Sequence, residues 1–242
     1  ARPGRAGYTR SDMQGTVQGT EPVRVGDPRW WEAKYARGET GWELGVPPPP
    51  LVRRLADAPP PPGRVAVLGC GRGHDARFFA RRGYPTWGFD FAPRAIRDAR
   101  MLAAIEFGRQ AATGRGVAPA PLVFEQRDLF ELPAVYPAFF DLVWEHTCFD
   151  AIEPARRPEY VEVVRRILRP GGRLLALFFP VDVPWQGGPP FPMTQAELRR
   201  LFEPAFRFDR TEVPADSVAR RRGAEWFVEA TLVVPPAAGA AR

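Results

Sequence analysis

Three glycines at alternate positions mark the segment of this chain best suited to hold a ligand. Gly69, Gly71 and Gly73 lie in the run VLGCGRGHD, between an apolar stretch that predicts a buried strand and residues that predict a helix. Glycine adopts positive φ without a Cβ clash and lets the backbone approach a ligand closely. We therefore expect a ligand over the carboxyl end of the strand, near the N-terminus of the next helix.

The residues that end the next two predicted strands narrow the class of ligand. The glycine turn alone does not identify it, because nicotinamide and flavin proteins use related turns. Asp90 follows Gly69 by 21 residues and ends a strand, where a carboxylate can accept hydrogen bonds from a ribose diol. Asp128 and Leu129 close the strand after that. An acid at this place can bind the adenine amino group while neighbouring backbone shields the ring.

Two further segments complete the series. The run DLVWE at 141–145 predicts a strand that leads to the substrate side, with Glu145 and His146 at its end, and LRPGG at 168–172 precedes the next strand. The ordered set resembles the cofactor site of class I S-adenosylmethionine (SAM) dependent methyltransferases, and this resemblance implies SAM as the cofactor. A dinucleotide oxidoreductase and a SAM-binding protein without catalysis stay open as alternatives.

From residue 64 onward, short apolar runs alternate with amphipathic stretches. This alternation predicts a parallel sheet covered by helices on both faces. The last two predicted strands follow one another without a helix, so we expect one antiparallel pair there. The expected fold is a Rossmann-like α/β domain of the class I methyltransferase type, with a seven-stranded, mostly parallel sheet and an N-terminal helical lid. The predicted strands are 64–69, 86–90, 122–126, 139–144, 173–179, 206–212 and 225–234, and the helices after the glycine turn are 74–82, 93–107, 154–168 and 194–202.

The residues before the sheet divide into a tail and a helical segment. The first residues are rich in Gly, Thr, Arg and Gln without an apolar period, which favours poor order. Asp27 and Pro28 are typical of a helix start, and the helix is predicted to end near Gly38. Proline runs at 47–50 and 59–62 flank a second short helix. The predicted boundaries are a tail at 1–26, a methyltransferase domain at 27–234 that includes a lid at 27–57, and a C-terminal tail at 235–242.

Charge and composition argue against nucleic acid and membrane as partners. The net charge is +6 and the pI about 10.0, but Lys34 is the only lysine, and the arginine pairs are scattered among acidic neighbours. The chain carries no zinc-finger, RNP or helix-turn-helix pattern. It also has no apolar run near the roughly 18 residues of a membrane span. We therefore expect a cytoplasmic monomer that acts on a small molecule.

Over about residues 28–230 the chain resembles the thiopurine S-methyltransferase family, especially its halide/thiol methyltransferase branch. The resemblance implies that Trp31, Tyr35 and Trp42 lie over the cofactor, where aromatic faces stabilise the sulfonium cation by roughly 0.5–2 kcal/mol per contact. It rests on four motifs, which are Trp31-Glu32-x-x-Tyr35-x-x-Gly38-x-Thr40-x-Trp42-Glu43, Gly69-Cys70-Gly71-x-Gly73-His74-Asp75, Ala151-Ile152-x-Pro154-x-x-Arg157-Pro158 and Gly187-Gly188-Pro189-Pro190-Phe191.

The family resemblance implies methyl transfer to a small nucleophile, with a thiol or another sulfur or selenium compound favoured. O- or N-methylation of a small metabolite is the alternative. The branch usually reads Asp-Tyr-x-Phe-Phe-Cys-Ala-Ile after the fourth strand, whereas here His146 replaces the Tyr and Asp150 replaces the Cys. Both are candidate catalytic residues, because an acceptor that must lose a proton needs a base. A strand-end histidine bonded to backbone is the structural alternative for His146.

The two cysteines and two histidines raise the question of a metal site. Cys70 and His74 lie at one predicted strand end, and His146 and Cys148 at another, so the four could bind zinc. Cys70 and His74 belong to the glycine turn, however, where family members carry them without metal. We therefore expect no metal, and two cysteines are too few for a disulfide framework.

Overall fold

The computed structural model describes residues 24–113 and 118–233. Its seven strands form one sheet in the order β3-β2-β1-β4-β5-β7-β6, with β7 antiparallel to both of its neighbours and the other pairs parallel. The predicted seven-stranded, mostly parallel, Rossmann-like sheet is confirmed. The strands are β1 Val65–Leu68, β2 Thr86–Asp90, β3 Leu122–Gln126, β4 Phe140–His146, β5 Leu168–Phe178, β6 Phe206–Glu212 and β7 Trp226–Leu232.

Helices cover both faces of the sheet. One face is packed by Leu51, Phe79 and Ile96 from three different helices, and the other by Tyr160 and Phe202 from two more. Burial of each such side chain contributes about 1.5–3 kcal/mol. The helices are α1 Pro28–Arg37, α2 Pro49–Asp57, α3 His74–Arg81, α4 Pro93–Thr113, α5 Leu132–Val135, α6 Arg157–Ile167 and α7 Gln195–Phe202.

Several predicted boundaries differ from the structure. Strand β5 begins at Leu168 and not at 173, because its first residue already pairs with Phe140 before a bulge in the β4–β5 register. The proline and glycines at 170–172, which were expected to precede this strand, lie within it. Helix α4 continues to Thr113, six residues beyond the predicted end at 107. Helix α6 begins at Arg157, because the predicted first turn is a separate 3-10 turn.

The N-terminal helix forms as its end signals predict. The Asp27 carboxylate accepts a hydrogen bond of 2.8 Å from the Arg29 amide, Pro28 occupies the first helical turn, and Gly38 ends the helix with φ 69°. The helix packs on α4, where the Arg94 amide donates to Glu32 at 2.8 Å. These contacts hold α1 above the carboxyl end of the sheet.

The predicted lid at 27–57 consists of two structurally different parts. Helix α2 belongs to the core, because Leu51 and Leu55 are buried against the sheet. Its Arg54 is also buried and pairs with Glu229 of β7 at 2.5 Å. Only the part before α2 is therefore free to act as a lid.

The predicted tails fall mostly outside the described residues. This holds for 1–23 of the N-terminal tail and for all of 235–242. The last residues of the predicted N-terminal tail belong instead to the folded part, since the Val25 carbonyl accepts a hydrogen bond of 2.7 Å from the Trp31 indole. Among the helices in residues 24–113 and 118–233, none has the length and apolar character that crossing a bilayer requires.

Candidate active site

The glycine turn connects β1 and α3 as its sequence predicts, but its three glycines have different structural roles. Gly69 has φ 57° and borders a large cavity. Gly71 donates its amide to the Asp90 carboxylate at 3.0 Å. Gly73 caps α3 with φ 71°, and a Cβ there would lie 2.5 Å from the Phe124 ring. Of the three, only Gly69 faces the cavity, whereas the others shape the turn.

Asp90 ends β2 at the wall of this cavity. One carboxylate oxygen accepts from Gly71, and the other accepts from the Ala92 amide at 2.9 Å. Burial raises the pKa of Asp90 to about 6, although these backbone hydrogen bonds oppose the rise. The carboxylate keeps lone pairs that can accept further hydrogen bonds from a ligand.

The cavity has a volume of about 550 Å³ and extends over the carboxyl ends of the central strands. This volume lies within the usual range for small-molecule sites, roughly 300–1,000 Å³. Asp128 and Leu129 border it beside Asp90. The Asp128 carboxylate also accepts a hydrogen bond of 3.0 Å from the Phe130 amide, which fixes the short turn after β3.

Aromatic side chains from the N-terminal segment form one wall of the cavity. Trp42 packs edge to face against Trp31 and Tyr35, with ring centroids 5.2 and 5.5 Å apart. All three border the cavity, as does Trp30. Trp31, Tyr35 and Trp42, which the sequence predicts to cover the cofactor, therefore lie together on one side of the cavity.

A second group of residues at the cavity is both aromatic and titratable. Asp150 borders the cavity although its side chain is almost fully buried, and Phe179, Trp185 and Arg221 border it too. Burial raises the pKa of Asp150 to about 8, and the nearby negative charge of Glu145 adds to the rise, which Arg221 opposes. At neutral pH this carboxyl group is therefore mostly protonated.

His146 lies behind the wall of the cavity and not on it. Its Nδ1 is 2.9 Å from an Asp75 carboxylate oxygen that also accepts from the Trp144 indole at 2.8 Å. Its Nε2 is 3.1 Å from Nη1 of Arg221. Both ring nitrogens are engaged by charged side chains, so the structural alternative of a backbone-bonded histidine is wrong.

Glu145 also lies away from the cavity. One carboxylate oxygen accepts from the amides of Cys148 at 3.0 Å and Phe149 at 2.8 Å, and the other accepts from the Tyr160 hydroxyl. Burial raises the pKa of Glu145, which is almost fully enclosed. These contacts shape the turn that presents Asp150.

Several residues that border the cavity were missed in the sequence. Arg221 is the middle one of three consecutive arginines before β7, where an arginine run ordinarily predicts a solvated surface. Trp185 and Phe179 flank a proline-containing loop and pack edge to face, with ring centroids 5.6 Å apart. Within residues 24–113 and 118–233, no three His, Cys, Asp or Glu side chains are grouped as a metal ion requires.

Comparisons with known proteins agree with this architecture. The family model described as "Thiopurine S-methyltransferase (TPMT)" matches residues 26–233. The chain is 29% identical to "Probable thiol methyltransferase 2" of Arabidopsis thaliana, across 72% of this chain and 71% of that protein. It is 28% identical to "Thiopurine S-methyltransferase" of Vibrio cholerae, across 73% and 81%. Among solved structures, the 1,6-didemethyltoxoflavin-N1-methyltransferase of Burkholderia thailandensis, determined with S-adenosylhomocysteine, superposes with a TM-score of 0.66 at 19% identity, covering 89% of this chain and 93% of that one.

Proposed function

Because the chain belongs to the thiopurine S-methyltransferase family and is a SAM-dependent methyltransferase, we propose that it methylates the sulfur atom of a small thiol. The cofactor and the thiol would occupy opposite ends of one cavity. The observation that carries the proposal is that one cavity is bordered both by Asp90 and by Asp150, whose pKa is about 8.

The residues at the first end fit an adenosyl cofactor. Asp90 would accept hydrogen bonds from the ribose hydroxyls, and Asp128 would accept one from the adenine amino group. Gly69 leaves the cofactor room to approach the backbone. Trp31 and Trp42 present aromatic rings to the cavity, which suits a sulfonium cation.

The residues at the second end fit a thiol that is deprotonated after binding. SAM supplies an electrophilic methyl group whose neutral thioether leaving group needs no proton. At pH 7 about a tenth of the molecules carry Asp150 as a carboxylate. That form can take the proton of a thiol with a pKa near 8.5 at little free-energy cost, because the two pKa values are close. The thiolate then gains the methyl group beside a neutral acid that can donate a hydrogen bond. We therefore keep Asp150 as a catalytic residue.

The roles of His146 and Glu145 depart from the sequence prediction in this proposal. An imidazole with both nitrogens engaged has no lone pair free for a substrate proton, so we assign His146 no base function. Glu145 holds the backbone turn before Asp150 and makes no cofactor contact in our assignment.

A thiol panel with matched variants tests the proposal. The purified protein is incubated with SAM and with alkyl thiols, aryl thiols, hydrogen selenide, iodide, phenols and amines, and the methylated products are identified by mass spectrometry. We expect product from thiols, and we expect Asp150→Asn to lower kcat/KM for an alkyl thiol at pH 7 by at least roughly 10-fold. An acidic aryl thiol, already ionised at pH 7, serves as the control and should lose far less. Methylation of only phenols or amines would refute the sulfur acceptor.

The cytoplasmic location and monomeric state predicted from the sequence stay predictions. Cell fractionation and size-exclusion chromatography with light scattering would test them.

A further inference from the structure

We propose that His146 is a positioning residue: it holds Arg221 in place, and Arg221 ties the loop that carries Trp42 over the cofactor end of the cavity. This inference rests on the proposed function, in which the cofactor lies under the wall formed by Trp31, Tyr35 and Trp42. It replaces a proton-transfer role for His146 by a mechanical one.

The hydrogen bonds around His146 have a fixed direction. A carboxylate only accepts, so His146 must donate from Nδ1 to Asp75. The neutral ring then carries its lone pair on Nε2, which faces Arg221 at 3.1 Å. A guanidinium group only donates, so the second contact has the matching polarity. The chain from Asp75 through His146 to Arg221 is therefore complete with a neutral imidazole.

Asp75 is held as firmly as the histidine it orients. It lies in the first turn of α3, where the helix dipole stabilises a negative charge. Its carboxylate also accepts from the indole of the fully buried Trp144. The fixed end of the chain is thus anchored in the core of the sheet.

Arg221 connects this anchor to the N-terminal segment. Its Nη2 donates to the Trp42 carbonyl at 2.6 Å, and its Nη1 lies 3.4 Å from Glu225. The side chain is only 3% exposed, so these hydrogen bonds are little weakened by solvent. The neighbouring Arg220 donates to the Glu43 carbonyl at 3.1 Å. The turn before β7 thus binds the backbone carbonyl groups of two successive residues, Trp42 and Glu43.

The hydrogen bond between Arg221 and the Trp42 carbonyl positions an aromatic side chain of the cofactor site. The carbonyl that Arg221 binds belongs to Trp42, whose indole packs on Trp31 and Tyr35 above the cavity. Loss of His146 would free the guanidinium to rotate, and the aromatic wall would lose its tether. Cofactor affinity should therefore fall, whereas loss of a general base would leave cofactor affinity unchanged and slow the chemical step.

Three substitutions of His146 separate its two hydrogen bonds. Asparagine can still donate to Asp75 but is too short to reach Arg221, glutamine places an amide oxygen near the Nε2 position, and phenylalanine removes both. We expect the Kd of S-adenosylhomocysteine, measured by calorimetry, to rise about 10-fold in His146→Phe and His146→Asn, since a hydrogen bond to a charged group is worth that factor or more. We expect less than about 3-fold in His146→Gln. Arg222→Met, at the exposed neighbouring position, is the control.

Backbone hydrogen exchange reports directly on the tether. On addition of S-adenosylhomocysteine, amides at 41–46 of the wild-type protein should become protected, and this protection should be reduced in His146→Phe but not in Arg222→Met. Arg221→Met should raise the Kd about as much as His146→Phe, and the double variant should be no worse than either, because both act through one contact.

The outcomes separate failure of this proposal from failure of the cofactor site. A wild-type protein that binds no S-adenosylhomocysteine would refute the cofactor assignment itself. Wild-type affinity in a folded His146→Phe variant, or additive effects in the double variant, would overturn the tether. If His146→Phe does not fold, as judged by circular dichroism, the comparison of the glutamine and asparagine variants decides, and equal Kd values for those two would overturn it.

Discussion

Asparagine at position 150 should make the protein more stable while making it a poorer enzyme. The Asp150 carboxyl group has a pKa of about 8 in the folded chain because it is buried, with Glu145 adding to the rise, against an ordinary value of 3.8. At pH 7 the folded chain therefore holds a proton that the unfolded chain has released. At about 1.36 kcal/mol per pH unit, this difference costs the wild-type protein about 4 kcal/mol of unfolding free energy at pH 7. Asparagine has nearly the shape of the neutral acid and does not ionise in the unfolded chain.

The pH dependence carries the sign of this argument. Between pH 4 and 8 the folded wild type binds more protons at Asp150 than the unfolded chain does, so its stability falls as pH rises. The stability difference between Asp150→Asn and wild type should thus grow by about 1.36 kcal/mol per pH unit over this window and level off above pH 8. Urea unfolding followed by circular dichroism at pH 5, 6, 7 and 8 measures it.

Asp216 supplies a control of opposite sign. A hydrogen bond from Arg53 lowers the pKa of Asp216, so the stability that Asp216 contributes is lost only as pH falls below about 4. The difference between Asp216→Asn and wild type should therefore be flat from pH 5 to 8. A flat difference for Asp150→Asn over the same range would refute the buried, protonated state of Asp150.

Three more predictions test other parts of the site and the glycine turn. Asp90→Asn should raise the Kd of S-adenosylhomocysteine by about 10- to 100-fold in calorimetry through loss of charged hydrogen bonds, and unchanged affinity would contradict the ribose assignment. Combined Trp31→Ala and Trp42→Ala should weaken the same binding at least roughly 10-fold, and normal binding would make these rings mere packing. Gly73→Ala should lower the melting temperature more than Gly83→Ala, since both have positive φ but only the first Cβ would collide with an aromatic ring; equal losses measured by thermal unfolding would contradict this.

The parts of the fold that depend on local signals could be predicted from the sequence. The cap formed by Asp27 and Pro28, the glycine turn at Gly69 and the acid that ends β2 all depend on residues near one another in the chain. The alternation of apolar and amphipathic stretches likewise predicted the mostly parallel sheet and the helices on both of its faces. Boundaries failed where tertiary pairing overrode local preference, as in β5, whose residues 170–172 continue a strand through proline and glycine.

The contacts of the candidate site that join distant segments could not be predicted. Asp75 and His146 are 71 positions apart, and His146 and Arg221 are 75 apart. No periodicity or motif links such positions. A histidine at a strand end beside a cavity is as compatible with a general base as with a positioning residue. Which of the two it is depends on the atoms opposite each ring nitrogen, and only the folded arrangement supplies those.

Asp90 and Asp150, two of the carboxyl groups that border the cavity, have different pKa values, and this difference suits each group to a different role. Asp90, at about 6, is ionised at neutral pH and can accept ribose hydrogen bonds, so cofactor affinity should fall below pH 6 as Asp90 takes up a proton. Asp150, at about 8, stays protonated until the pH approaches the ordinary range of thiols. One burial effect thus has two consequences: it costs folding free energy at both sites, and it leaves one group charged for the cofactor and the other matched to the proton of the acceptor.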